Sequence, residues 1–244
     1  MEHVHQESYT IRANEVGANG VARPDSMAGL LQEIAGNHAN ILNFDIKDLQ
    51  GENSTWVLHQ LHMCMYKYPS WRDTITIQTW PSSGDGLRAY RDFRILDASE
   101  TELGVALSYW LIMDLSSRKP IRIPKAVLDL GLETDNHVLP VSSEKMNWEI
   151  GDGHGDSFKI RRTDVDLNRH ANNVAFIRWI LESVDEPTYL NKTCAELNIQ
   201  FRSEARLNDE VEVISSNQGS DTKYKHLIKH GDRPLGIGLT RWER

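Results

Sequence analysis

The sequence predicts an α+β fold built twice in tandem, each copy a long helix wrapped by an antiparallel β-sheet. Three observations predict it. Residues 27–42 carry apolar side chains at helical spacing, residues 56–113 hold long strand-like runs separated by turn formers, and the second half restates the first.

Bulk properties narrow the function classes. The 244 residues are 39% hydrophobic and 25% charged, ordinary for a folded chain with a substantial core. A net charge of −8 argues against non-specific nucleic-acid binding. No apolar run approaches the roughly 18 residues of a membrane span. Residues 1–8 have neither a signal peptide's apolar region nor an Arg/Ser-rich transit character. Cys64 and Cys194 stand without metal or redox spacing, as expected of a reducing compartment. The cytoplasm is the expected location.

Taken in order, residues 7–14 alternate as a half-buried strand does. A loop with Gly17, Asn19 and Gly20 leads to a helix whose apolar face is Met27, Leu30, Leu31, Ile34, Ala35, His38, Ile41 and Leu42, with Asp25 or Ser26 as its cap. His38 reads as a buried packing histidine. Strands follow at 56–68, 74–80, 87–96 and 104–113, with turns at Pro69–Asp73 and Pro81–Gly86. The run from Val105 to Met113 is apolar on both parities, which places it centrally and covered on both faces. His59 and His62 lack a third ligand at metal spacing and fall on opposite strand faces, so no metal site is expected. Residues 128–155 lose the periodicity and end in Gly151-Asp-Gly-His-Gly155, as an interdomain connector does.

A shift of 149 residues lays Glu-Ser-Tyr-Thr-Ile-Arg (7–12) on Asp-Ser-Phe-Lys-Ile-Arg (156–161). Val16 then falls on Val165, Asn19 on Asn168, Leu30 on Trp179, Leu31 on Ile180 and Glu33 on Glu182. A shorter shift places Leu61 on Leu197 and Asp73 on Asp209, and a shorter one again places Gly104 on Gly236 and Trp110 on Trp242. The second half should therefore hold a strand at 157–163, a helix at 174–184 capped by Asn172 or Asn173, and strands at 194–201, 210–214, 224–230 and 235–242. The domain division is 1–127, a connector at 128–155, and 156–244.

The repeat also acts as a control on the polar stretch 164–174. Opposite Asp166 the first half has Gly17, opposite His170 it has Val21, and opposite Glu204 it has Tyr68. A turn that folds without these groups in one copy does not need them in the other, so their presence points to chemistry. There is no phosphate-cradling glycine loop and no Gly-x-Ser-x-Gly elbow. Nothing in the spacing sets Ser203 or Ser183 beside His170, Ser203 points away from Glu204 if both lie on a strand, and Cys194 is ten residues before Glu204. The simplest set is hydrolysis by water. Glu204 or His170 is the general base, Asn168 a donor to the oxyanion, and Asp166 the group that orients its neighbours. Asp164, Asn172 and Asn173 read as scaffold, and Asn168, matched by Asn19, is partly so.

At these residues the chain resembles a known family. Residues 164–183, from Asp-Val-Asp-Leu-Asn-Arg-His-Ala-Asn-Asn to Leu-Glu-Ser, are similar to the signature of the acyl-acyl-carrier-protein thioesterases of plant plastids and bacteria. The likeness extends to Tyr66-Lys-Tyr-Pro-Ser-Trp-Arg-Asp73 and to Leu-Leu-Gln-Glu at 30–33. It implies a double hot-dog fold and a thiolester hydrolase of fatty acid biosynthesis, with no cofactor. Such an enzyme frees the fatty acid from its carrier protein and so ends elongation. By position, the family's Asp, Asn, His and Glu fall on Asp166, Asn168, His170 and Glu204. The cysteine that follows the Glu in many plant members is Ala205 here, which rules out covalent cysteine catalysis at that position and supports water.

The resemblance also implies that the acyl chain lies in the first hot dog, with Leu30, Ile34 and Trp56 as pocket candidates. The carrier protein is acidic, so an acidic enzyme needs a local basic patch. One cluster is Arg118, Lys119, Arg122 and Lys125, and another is Arg202 and Arg206 around Glu204. Three alternatives share the fold: an acyl-CoA thioesterase, an acyl-thioester-binding protein without turnover, and a dehydratase. Monomer and homodimer are both open, because duplication already supplies the paired hot dogs.

Overall fold

The computed structural model describes residues 4–130, 137–141, 146–219 and 222–244. Parts of the expected connector, 131–136 and 142–145, lie outside the described residues, as do residues 1–3. The chain divides into two compact units, Met1–Val141 and Ser142–Arg244.

The first unit runs β1 (His5–Thr10), α1 (Pro24–Ile41), α2 (Ile46–Gly51), β2 (Ser54–Met65), β3 (Thr74–Gly84), β4 (Arg88–Leu96), β5 (Glu102–Asp114), β6 (Pro120–Ile121) and α3 (Lys125–Leu128). Its antiparallel sheet has the order β1-β3-β4-β5-β2, with β6 on β5. The second unit runs β7 (His154–Lys159), a 3-10 turn (Arg162–Asp164), α4 (Asn173–Glu182), α5 (Glu186–Asn191), β8 (Thr193–Phe201), β9 (Glu210–Asn217), β10 (Lys223–His230) and β11 (Arg233–Glu243). Its sheet order is β7-β9-β10-β11-β8. In both units the first strand pairs the third, and the helix-bearing crossover delivers the second strand to the far edge. This is the hot-dog arrangement, made twice.

Each helix packs its apolar stripe on the sheet, α1 on β1 and β3, and α4 on β9 and β10. From α1 the buried side chains include Met27, Leu31 and Ile34, and from α4 they include Phe176, Ile177 and Ile180. Burying each of these contributes about 1.5–3 kcal/mol. β5 is buried on both parities from Leu103 to Tyr109, as its sequence requires of a central strand. His38 is buried at 4% exposure, and the Arg91 guanidinium donates to its Nδ1 at 2.9 Å.

Several boundaries differ from expectation, each for a local reason. Neither Asp25 nor Ser26 caps α1. Pro24 occupies the first turn, where its missing N–H is harmless, and the buried Asp25 carboxylate instead accepts from Arg23 at 3.0 Å. β3 continues through Pro81 to Gly84. β1 accompanies it only as far as Thr79, so beyond that point the absent proline donor breaks no described pairing. In β2 a bulge at Leu58/Gln60 takes up His59 and moves the apolar set from Trp56 and Leu58 to Leu61, Met63 and Met65. β2 stops at Met65, β1 spans only 5–10, β7 begins and ends earlier than the expected strand at 157–163, and α4 ends at Glu182. Three short helices, α2, α3 and α5, were not expected. Asp45 and Asp48 form a reciprocal capping box on α2, and the Asp185 carboxylate caps α5 by accepting from Thr188 N–H at 3.0 Å.

Candidate active site

The site is built by a turn that precedes α4. Val165 and Ala171 form an isolated antiparallel bridge that closes residues 166–170 into a loop. Inside it, Asp166 N–H donates to the His170 carbonyl at 2.9 Å and Arg169 N–H to the Asp166 carbonyl at 3.0 Å. The Asp166 carboxylate accepts from Asn168 N–H at 2.8 Å and from His170 N–H at 3.3 Å. It therefore fixes the backbone of both neighbours, the local hydrogen bonding that favours Asp in turns. Arg169 adopts φ +64, a left-handed conformation that costs a non-glycine residue about 1–2 kcal/mol. The Asn172 side chain accepts from Val174 N–H at 2.8 Å and starts α4. Asp164 is 7% exposed, accepts from Arg161 N–H at 2.8 Å and meets the Arg178 guanidinium at 3.3 Å, so it is scaffold.

One main-chain bond brings the catalytic candidates together. Ala171 N–H donates to the Ala205 carbonyl at 2.8 Å, which places the residue before each, His170 and Glu204, side by side. His170 Nε2 lies 3.0 Å from Glu204 Oε2, and the two side chains are 18% and 35% exposed. A carboxylate accepts, so Nε2 carries the proton in this arrangement. Glu204 does not lie on a strand. β8 ends at Phe201, and Glu204 follows in the connection to β9, which frees its direction from strand alternation. Asn168 is exposed in the same turn.

The first unit repeats the main-chain bonds of this frame and adds a Val21–Ser70 bridge and a Trp71 N–H bond to the Gly20 carbonyl. Val16 and Ala22 form the bridge, Gly17 N–H donates to Val21 O at 2.9 Å, Gly20 N–H to Gly17 O at 3.0 Å, and Ala22 N–H to the Pro69 carbonyl at 2.8 Å. Gly20, at φ +78, stands where Arg169 stands. The pinned neighbours are Val21 and Tyr68, the two residues that sequence alignment set opposite His170 and Glu204. The geometry thus keeps the shared main-chain bonds and changes the side chains presented on them.

The remaining candidates fall elsewhere. Leu30 and Ile34 are buried on α1 at 6% and 0% exposure. Trp56 donates from Nε1 to the Phe44 carbonyl at 2.7 Å and packs on Leu49, Ile112, Ile123 and Val127. Arg118, Lys119 and Arg122 are exposed in the first unit, and Lys125 pairs with Asp129 at 2.7 Å. Arg202 and Arg206 are exposed in the second, with the Arg202 guanidinium 5.1 Å from the Trp148 ring centre. Ser183 bonds to the Ile180 carbonyl at 2.8 Å and to Ser215 at 2.6 Å, which removes it as a partner of His170. A cleft lined by Asp185, Thr188, Lys192 and Tyr224, among others, includes none of the four catalytic candidates, and proximity to this chemistry outweighs its size. Sequence reasoning missed Arg178 and the Ala171–Ala205 bond. A helix-face arginine has many possible partners, and a main-chain contact leaves no side-chain signal.

Comparison with known proteins gives a consistent result. Residues 2–130 match the model of the acyl-ACP thioesterase N-terminal domain, and residues 149–243 that of the C-terminal domain. An oleoyl-acyl carrier protein thioesterase of Coriandrum sativum is 29% identical over 92% of this chain. A palmitoyl-acyl carrier protein thioesterase of Cuphea hookeriana is 28% identical over 98% of it. The matches span 66% and 62% of those relatives' own lengths. Among solved structures, an acyl-ACP thioesterase of Bacteroides thetaiotaomicron shares the fold with a TM-score of 0.89 at 21% identity, over 98% of both chains. The 12:0-ACP thioesterase of Umbellularia californica does so with a TM-score of 0.87 at 21% identity, over 98% of this chain and 97% of that one.

Proposed function

We infer the reaction from one premise: the chain belongs to the acyl-ACP thioesterase family. It hydrolyses the thioester of a fatty acyl chain on acyl carrier protein, releasing free fatty acid. The observation that carries the assignment of the site is the His170–Glu204 pair at 3.0 Å, in a turn whose counterpart keeps the scaffold and lacks the pair.

Glu204 is the general base. With Nε2–H donated to it, His170 holds the carboxylate in place, and the partly exposed Glu204 takes a proton from water as the oxygen attacks the thioester carbonyl. The oxyanion receives the Asn168 amide as a donor, and Asp166, whose carboxylate accepts from the Asn168 and His170 N–H groups, sets the position of both residues. On collapse the carbon–sulfur bond breaks and Glu204 returns the proton to the departing thiolate. Water and thioester become acid and thiol, with no group left on the protein. No helix among the described residues is long and apolar enough to cross a membrane.

The acyl chain is assigned to the first unit, with Leu30, Ile34 and Trp56 as its contacts. The domain division at 1–127, 128–155 and 156–244 brackets the boundary between compact units at Val141/Ser142. The reading is tested by kcat/KM for one acyl group on carrier protein and on coenzyme A, with free thiol measured in both. Preference for the carrier protein is expected. Preference for coenzyme A would make the chain an acyl-CoA thioesterase, and absence of free thiol would remove hydrolysis altogether.

The cluster of Arg118, Lys119, Arg122 and Lys125 is assigned to the acidic carrier, with Arg202 and Arg206 as a second contact. Reversing Arg118 and Arg122 to Glu is expected to raise KM for acyl-carrier protein severalfold, and less so at high salt because exposed charges are screened. An unchanged KM at low salt would remove that patch.

A further inference from the structure

The two turns differ at four places: Gly17 becomes Asp166, Ala18 becomes Leu167, Gly20 becomes Arg169 and Val21 becomes His170. Catalysis accounts for Asp166 and His170, and the other two changes run against folding. Leu167 is fully exposed, at 101%, in the loop that the Val165–Ala171 bridge closes. An isolated leucine with its whole side chain in water gains nothing from burial in the folded chain. Arg169 is exposed and holds φ +64 where the other copy uses glycine at φ +78. A long cation therefore sits at a position where glycine is the easier residue. Both flank Asn168, beside the His170–Glu204 pair.

We propose that Leu167 and Arg169 are the contact through which the catalytic turn receives the acidic protein that carries the acyl group. Leu167 enters an apolar groove of the carrier, and Arg169 meets a carboxylate or the phosphodiester that links the carrier to its thiol arm. The inference rests on the thioesterase reading above and extends it to the partner. A positive side chain beside an apolar anchor suits a negatively charged partner, and it is supplied locally by a chain whose net charge is −8. Contact at the turn also sets the thioester next to Asn168 and Glu204, so docking and alignment are one event.

The test compares Leu167→Ser and Arg169→Gly with the wild type on two substrates bearing the same acyl group, the carrier protein and a carrier-free pantetheine thioester. Each variant is expected to lower the ratio of kcat/KM for carrier protein to kcat/KM for pantetheine thioester by roughly tenfold, the scale of truncating one interface anchor. For Arg169→Gly the loss should shrink as salt rises, and its Tm should equal or exceed that of the wild type. An unchanged ratio in both variants overturns the proposal, as does an equal loss on both substrates, which would make the turn a positioning element only. A wild-type dimer that Leu167→Ser dissociates would assign the leucine to a second copy of this chain and also overturn it. Failure of the wild type to release thiol from either substrate would overturn the hydrolase reading itself, and this proposal with it.

Discussion

Glu204→Ala and His170→Ala are each expected to lower kcat for acyl-thioester hydrolysis by roughly 10²- to 10⁴-fold, the range of a lost general base or its partner. The fold should survive both changes. The turn is pinned by Ala171 N–H to the Ala205 carbonyl and closed by the Val165–Ala171 bridge, neither of which uses the two side chains. The pair is partly open to solvent, so as an ion pair it contributes only about 0–1 kcal/mol to stability. Because the residues act as a unit, the double variant should lose little more than the worse single one. Glu204→Gln separates the roles: Gln accepts the Nε2 hydrogen bond but takes no proton, so it should be nearly as impaired as Glu204→Ala. Activity close to wild type in Glu204→Gln would move the base to His170. Circular dichroism and Tm beside single-turnover rates complete the check.

The second large effect concerns acid stability. His226 is completely buried, with Nδ1 2.7 Å from Ser215 Oγ and Nε2 2.9 Å from Thr240 Oγ1, and burial pushes its pKa down to about 3. The unfolded chain takes up a proton near pH 6.5, and the folded one does so only near its depressed value. The unfolded state therefore binds more protons throughout that window, and stability is lost as pH falls. The contribution is intact above pH 6.5 and declines by about 1.4 kcal/mol per unit below it, reaching roughly 2–3 kcal/mol at pH 4.5. His226→Gln loses some hydrogen bonding at neutral pH but should show a shallower pH dependence. Urea unfolding of both proteins between pH 7.5 and 4.5 measures the difference in slope. Parallel curves would mean that burial does not depress the pKa of His226, so that it titrates alike in the folded and unfolded chains.

Much of the candidate site's geometry was legible because the chain carries its own reference. Aligning the halves set Val21 against His170 and Tyr68 against Glu204, and the structure pins each pair with an equivalent main-chain bond, Ala22 to Pro69 and Ala171 to Ala205. The central strand was equally legible, since apolar residues on both parities from Val105 onward fit a strand covered on both faces. Boundaries were less so. β3 runs through Pro81, which pairs with Arg91 of β4, a fact of pairing and not of local sequence. α2 and α5 have capping carboxylates at Asp45 and Asp185 but too few residues to show a period, so caps alone marked them. The strand expected at 194–201 ends at Phe201 as its alternation indicates, but nothing in the residues after it shows where Glu204 points. The next residues turn to set Glu204 against His170.

The bonds that the two copies of the turn share run between peptide groups, which are blind to the identity of the side chains at 21, 68, 170 and 204. A substitution at 21, 68, 170 or 204 removes none of the bonds that form the frame. Foldability and reactivity can therefore drift separately along this chain. A copy without the histidine–glutamate pair persists with its main-chain frame intact, and a copy with the pair can exchange those groups without losing the bonds that hold the turn.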